Sequence, residues 1–438
     1  MLPHTRFRGV LMVCLAIGWG SLLVGAAVGQ DLPPAPTPTL APSEDGPAIA
    51  DTQPAEAAPA DTLAPTDPTV QPADPATSVP RRPRSSMPRM GRYGRPASSS
   101  SRGSVFRLAS VPNMFGDFLN QGGQVSMTGA VDALADMPLA GGGHRAKIAE
   151  NNKAVPVDRF FFTYHHFHNA LSANPNTRLS GLTRDFSVER YTVGLEKTFF
   201  DGRWSVDVRM PFANEYGYAP GKFAVGGGDI GNLSIALKRL LVAGEQGALS
   251  AGLLIDTPTG SDATCRAVTT KVTMHNDAVH LSPFVAAMGT PNACFFYHGF
   301  LQVDVAANGN RVNYDDTYLV DAGSFGKLSE QTLMHLDFSV GRWLYRNSCR
   351  RGVTGLASIV ELHYTTALQD ADLVTGTVDT TNFTFGNLRN RFDIVNLTVG
   401  LHAELARRTT VRVAGVFPLN TVDRPFDSEV QVSVNRRF

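Results

Sequence analysis

Cysteine is nearly absent, with four in 438 residues. Cys14 sits in an apolar N-terminal run, which leaves Cys265, Cys294 and Cys349. An odd set with no CxxC spacing excludes a disulfide framework and a thiolate metal site. Net charge is absent as well: 39 basic residues balance 39 acidic ones. That excludes the basic footprint of a nucleic-acid binder. After the N-terminus no run of apolar residues is long enough for a transmembrane helix. Neither GxSxG nor HExxH occurs. Gly226-Gly227-Gly228 lacks the lysine and the following helix of a phosphate loop. Asp315, Asp316, Asp321, Asp370 and Asp372 lack EF-hand spacing and read as solvated loop residues. No cofactor and no resident metal is expected.

What is present begins with an export signal. Arg6 and Arg8 precede the apolar stretch Val10 to Val24, and Ala27-Val28-Gly29 offers small residues for cleavage. Residues 1–29 therefore read as a signal peptide. Residues 30–107 read as a disordered linker in two halves. Positions 31–80 hold thirteen prolines, eight acids and no Lys or Arg; positions 81–107 hold eight arginines and no acid. Such composition cannot bury a core and favours extended, PPII-like chain. The arginine-rich half is a solvated tether, or a contact for anionic cell-wall polymer. Residues 108–157 read as a plug-like or periplasmic segment. Within it, Met114 to Leu119 suggests a turn of helix and Gly141 to Gly143 a flexible break.

From residue 158 to 438 the pattern changes to period two. Val395, Leu397, Val399, Leu401, Ala403 and Leu405 alternate with Asn396, Thr398, Gly400, His402 and Glu404. Trp204, Val206, Val208 and Met210 alternate with Ser205, Asp207 and Arg209. Alternation of this length means strands with one apolar and one polar face. Twelve such segments are expected: 158–170, 187–199, 203–211, 229–241, 247–257, 278–288, 294–305, 332–345, 354–366, 392–405, 410–417 and 428–438. A strand near Val125 or Lys147 would raise the count to fourteen. Connectors alternate short and long. The short ones fall around Asp201, Gly244, Pro291, Asn347 and Arg407, as periplasmic turns of an outer-membrane barrel do. The expected fold is all-β: an antiparallel transmembrane β-barrel of about twelve strands. The last strand turns Val430, Val432, Val434 and Phe438 to one face, and an aromatic terminus resembles the signal read by the barrel-assembly machinery. Arg436 on that face is expected to snorkel.

Two stretches carry a family resemblance. Lys147 to Asn151 with Pro156 to Tyr164, and the ending Asn435-Arg436-Arg437-Phe438, resemble uncharacterised outer-membrane barrels typical of planctomycete-type bacteria. Gly228 to Leu233 is loosely similar to the putative transporter family named for the MetA pathway of phenol degradation. The resemblance implies fold and outer-membrane location, with no catalytic residues to carry over.

If lipid meets the apolar faces, the polar faces line a lumen. Candidate lining residues are Arg190, Glu196, Arg203, Asp207, Arg209, Lys238, Asp256, His298, Asp304, His335, Asp337, Glu361, His363, His402 and Glu404. Mixed charge in a barrel must be paired or wet. A partly water-filled lumen predicts porin-like, passive passage of small solutes and no enzyme activity. The alternatives are a structural anchor tethered to the cell wall, or a hydrolase using rim groups such as Asp337 and His363. A hairpin centred on Cys349 would oppose His335 to His363 and Asp337 to Glu361, a set able to hold a divalent metal; a pore-lining polar ladder is the plainer account. His166 and His168 share a face with Phe160, Phe162 and Tyr164, which reads as an interfacial aromatic girdle rather than a metal site.

Overall fold

The computed structural model describes residues 108–119, 123–347, 352–406 and 408–438. The expected signal peptide and linker, and the turn centres at Cys349 and Arg407, lie outside the described residues. Strands are numbered along the chain. A hairpin comes first: β1 (Gln124–Gly129) and β2 (Ala133–Asp136). Next come β3 (Arg159–Asn174), β4 (Arg184–Phe199) and β5 (Trp204–Ala213), then the short β6 (Tyr216–Tyr218) and β7 (Phe223–Gly227). β8 (Leu233–Ala243) and β9 (Gly247–Thr257) precede the short pair β10 (Ala263–Ala267) and β11 (Thr270–Met274). β12 (His280–Gly289) and β13 (Phe295–Ala306) precede β14 (Asn310–Asp316) and β15 (Asp321–Leu328). β16 (Leu333–Arg346) and β17 (Val353–Ala367) precede β18 (Leu373–Val378) and β19 (Thr381–Gly386). β20 (Asp393–Leu405), β21 (Thr409–Pro418) and β22 (Ser428–Arg437) end the chain.

The twelve long strands β3, β4, β5, β8, β9, β12, β13, β16, β17, β20, β21 and β22 pair antiparallel in chain order, and β22 pairs with β3 to close the ring. Every one of the twelve expected segments is a barrel strand. Closure leaves no unpaired edge. Outward positions are mostly apolar, and Leu336, Phe338 and Leu401 remain about half exposed. Inward positions are polar over much of the wall. Within the strands the period-two pattern matches the face each side chain takes.

The long connectors are not loose loops. β6, β7, β10, β11, β14 and β15 form one six-stranded sheet, and β18-β19-β1-β2 extends the barrel sheet through the far end of β3. Together they raise a collar above the long-loop end of the barrel. Val125, Met127, Phe223, Val272, Phe383 and Phe385 lie in one fully buried apolar cluster inside it. Phe186 closes against Tyr216 and Tyr218 at ring separations of 4.9 and 5.3 Å. Buried Cys265 is in the same cluster, and burial pushes its thiol up, away from reactivity. The expected extra strand near Val125 exists as β1, but it builds the collar and not the barrel.

Candidate functional site

Residues 108–157 run up the lumen, turn through the collar and come back down. The rising arm starts at the short-turn end, where Arg346 donates to Ser110 and Arg437 to the Ala109 carbonyl. At the top, β1 pairs with β19 over six residues, so the segment becomes part of the collar wall. The Leu139–Gly142 turn reverses the chain. It is a buried turn rather than a flexible break: a Cβ on Gly141, which has φ +58, would lie 2.3 Å from the Gly228 carbonyl. The returning arm runs from His144 to the start of β3.

Neither arm is helix or sheet, so its backbone polar groups need partners from elsewhere. The barrel wall supplies them. Glu361 accepts from the Phe115 N–H at 2.9 Å and the Gly116 N–H at 3.1 Å. Asp256 accepts from Ala146, and the Gln302 side chain bonds both Ile148 N–H and the Ala146 carbonyl. Arg412 donates to the Asn113 carbonyl, Arg190 to Phe118, Gln431 to Gly116, Arg209 to Glu150 and Lys238 to Lys153. The arms also bond each other, Met114 to Asn152 and Asn151 to Phe115. The expected turn of helix at Met114–Leu119 is therefore replaced by extended chain, because these partners outcompete an i→i−4 ladder. Gly116 sits at φ +89 with Glu150 closer than a Cβ would allow. Apolar groups interleave with these contacts: Phe115, Ile148 and Val155 share one buried cluster with Phe284, Phe296 and Phe300 of β12 and β13.

Charged groups form a network across the filling. Lys147 Nζ lies 2.6 Å from both Asp117 Oδ1 and Asp337 Oδ1. His363 Nδ1 is 2.8 Å from Asp337 Oδ1 and 3.5 Å from Asp117 Oδ1, and its Nε2 is 3.2 Å from Glu361 Oε2. Arg159 pairs with Glu196 at 2.8 Å, and Lys238 with the same carboxylate at 2.9 Å. Arg190 and His165 both meet Glu150, at 2.8 and 3.0 Å. Nearer the collar, Glu330 takes Arg145 at 2.7 Å and His144 at 3.0 Å, while Asp304 takes His280 at 3.1 Å.

All but one of the candidate lining residues point inward and are buried. Arg203 is the exception: it lies exposed in the turn before β5, where the alternation has not yet begun. The β16–β17 register also differs. Asp337 opposes His363, His335 opposes Thr365 and Ser339 opposes Glu361. The shift is two residues, and a bulge between Trp343 and Tyr345 adds an unpaired residue near the turn. An even shift keeps each side chain on its face but changes its partner. Asp337 and His363 are buried inside the filled lumen and not at a rim. His166 and His168 lie on the outer face, with His166 bonded to Glu189 at 2.6 Å.

The sequence reading missed Asp117, Arg145, Lys147, Glu150, Arg159, His165, Arg412 and Glu429. Six of them sit on inward positions of strands or on the Lys147–Lys153 polar run, a signal that was visible. Residues 108–157 occupy much of the lumen and leave small cavities. Between the arms and the wall lie cavities of about 30 Å³, beside Arg190 and Arg209, and about 20 Å³, beside His402 and Arg412. Each has room for a water or two. A larger cavity of about 140 Å³ opens sideways beneath the collar, between Phe118, Leu333, Phe392, Arg145 and Arg389.

No family model matches the chain, and no curated protein matches it in sequence. Some solved structures are similar to it at low identity. The NanC porin is 7% identical with a TM-score of 0.35, covering 64% of this chain and 98% of its own. An outer membrane channel from Pseudomonas putida F1 is 9% identical with a TM-score of 0.40, covering 65% and 96%. The translocator domain of the autotransporter NalP from Neisseria meningitidis is 10% identical with a TM-score of 0.42, covering 66% and 91%.

Proposed function

We propose that the chain is an outer-membrane β-barrel of channel type, held shut by its own residues 108–157. Small polar solutes pass when that segment shifts. One observation supports this above the rest: the polar wall of the lumen spends its hydrogen bonds on the backbone of an irregular segment. Water can take over each of those bonds at little net cost. A filling held in this way can be re-solvated and moved, as a wholly apolar core cannot.

The mostly apolar exterior of a closed barrel supports a bilayer location, since lipid tolerates only structures without unpaired backbone. In this reading the short turns face the periplasm and the collar faces outward. Val430, Val432, Val434 and Phe438 point to lipid and present the strand that the assembly machinery reads. The linker then starts in the periplasm. Its arginine-rich part, residues 81–107, is the candidate contact for anionic cell-wall polymer.

A second reading, a structural anchor, draws on the β1–β19 ladder, which ties the filling into the collar. Planar-bilayer recording separates the two. For a channel, the resting full chain is mostly silent and Glu361→Gln, which loosens the rising arm, produces discrete steps. Silence from both, with the barrel folded, rejects the channel and leaves the anchor.

A further inference from the structure

We propose that Asp117, Asp337 and His363 form a seat for a divalent transition-metal ion, and that Lys147 fills this seat as a tethered cation while the returning arm is down. One ligand atom from each of the three residues lies within 4.8 Å of the other two. The ammonium of Lys147 marks where a cation goes, 2.6 Å from one oxygen of each aspartate. Two carboxylates and an imidazole are a donor set that suits Zn²⁺ or Mn²⁺.

Two independent features point past the lysine. Asp337 Oδ1 receives both Lys147 and His363, while its Oδ2 has no hydrogen-bond partner in a side chain only 1% exposed. A buried carboxylate oxygen left without a partner is costly, and a metal ion with more than one open position would use it. His363 is also placed as a ligand: Nδ1 faces the aspartates, 2.8 Å from Asp337 Oδ1 and 3.5 Å from Asp117 Oδ1. Its Nε2 lies 3.2 Å from Glu361 Oε2 without a hydrogen bond between them, so the kind of carboxylate that supports a metal-bound histidine is near but not engaged.

Metal binding uses the lone pair on Nδ1 of His363, and loading the seat displaces the Lys147 side chain. Lys147 is on the returning arm, while Asp337 and His363 are on the wall. Metal and seated arm exclude each other, so a metal ion favours the state in which that arm is displaced. That consequence rests on the channel reading; the seat itself does not.

The test uses the refolded full chain, its Lys147→Met variant, and Zn²⁺ with Co²⁺ as a coloured probe. Lys147→Met is expected to bind one Zn²⁺ at least 100-fold more tightly than the unaltered chain. It should give a Co²⁺ spectrum that a further His363→Ala change removes. Zn²⁺ should also raise the unfolding midpoint of Lys147→Met and leave that of the unaltered chain nearly unmoved. If Lys147→Met does not refold, Lys147→Gln, which retains a polar end, serves in its place. Equal zinc affinity with and without Lys147, or binding indifferent to His363, overturns the seat. Tight His363-dependent binding in a barrel that zinc leaves silent upholds the seat and rejects the link between the metal and the arm.

Discussion

Glu361 holds the rising arm by its backbone, and removing its charge tests whether that grip is real. The carboxylate accepts Phe115 N–H through both oxygens at 2.9 Å and Gly116 N–H at 3.1 Å, and Ser339 Oγ approaches at 3.2 Å. Glu361→Gln keeps the shape and one acceptor oxygen. With that oxygen at Oε2 both N–H groups keep an acceptor, but the acceptor is no longer charged and the NH₂ at Oε1 confronts the Phe115 N–H. The lost charge assistance is worth about 1–2 kcal/mol. At one tenfold step per 1.4 kcal/mol, local opening of the arm becomes roughly 5- to 30-fold more frequent. Hydrogen exchange of the Phe115 and Gly116 amides in detergent-solubilised protein reads this directly. Val285, paired into the β9–β12 ladder, serves as the control and should not change. Acceleration of threefold or less at Phe115 and Gly116 would refute the argument, because the Glu361 carboxylate would then not be what holds the arm.

Gly400 makes room for the Phe115 ring, and a Cβ there would lie 2.5 Å from it. Gly400→Ala should cost about 1–3 kcal/mol by overpacking, read as a lower denaturant midpoint. Arg203→Ala should leave stability within about 0.5 kcal/mol, since the side chain is exposed in a turn; a larger loss would restore it to the lumen network. Arg311 grips Asp277 through two nitrogens at 2.7 and 3.0 Å on the exposed collar and holds that carboxyl below its usual range. A depressed carboxylate stabilises the fold above its unfolded pKa and loses that contribution as pH falls through the folded one. The effect of Arg311→Ala on the unfolding midpoint should therefore be seen at neutral pH, shrink with added salt and vanish in acid.

Period two determined the barrel from sequence alone. In Asp393–Leu405 and Ser428–Arg437 the alternation fixes which side chains face inward, because a strand has only two faces. Short connectors can only be tight turns, so the topology followed from their spacing. Even the misjudged β16–β17 register kept His335, Asp337, Glu361 and His363 on the inner face, since a two-residue slip does not exchange faces. Residues 108–157 carry no such period. Their conformation is set by Glu361, Gln302, Arg412 and Lys238, each distant in sequence, and no local pattern encodes a partner more than 80 residues away. The same holds for β1, which is a strand because β19 offers it an edge. Sequence decided the wall of this protein. Tertiary structure alone decided that the lumen is filled, because filling it satisfies backbone groups and buried charges that neither the wall nor the segment can satisfy by itself.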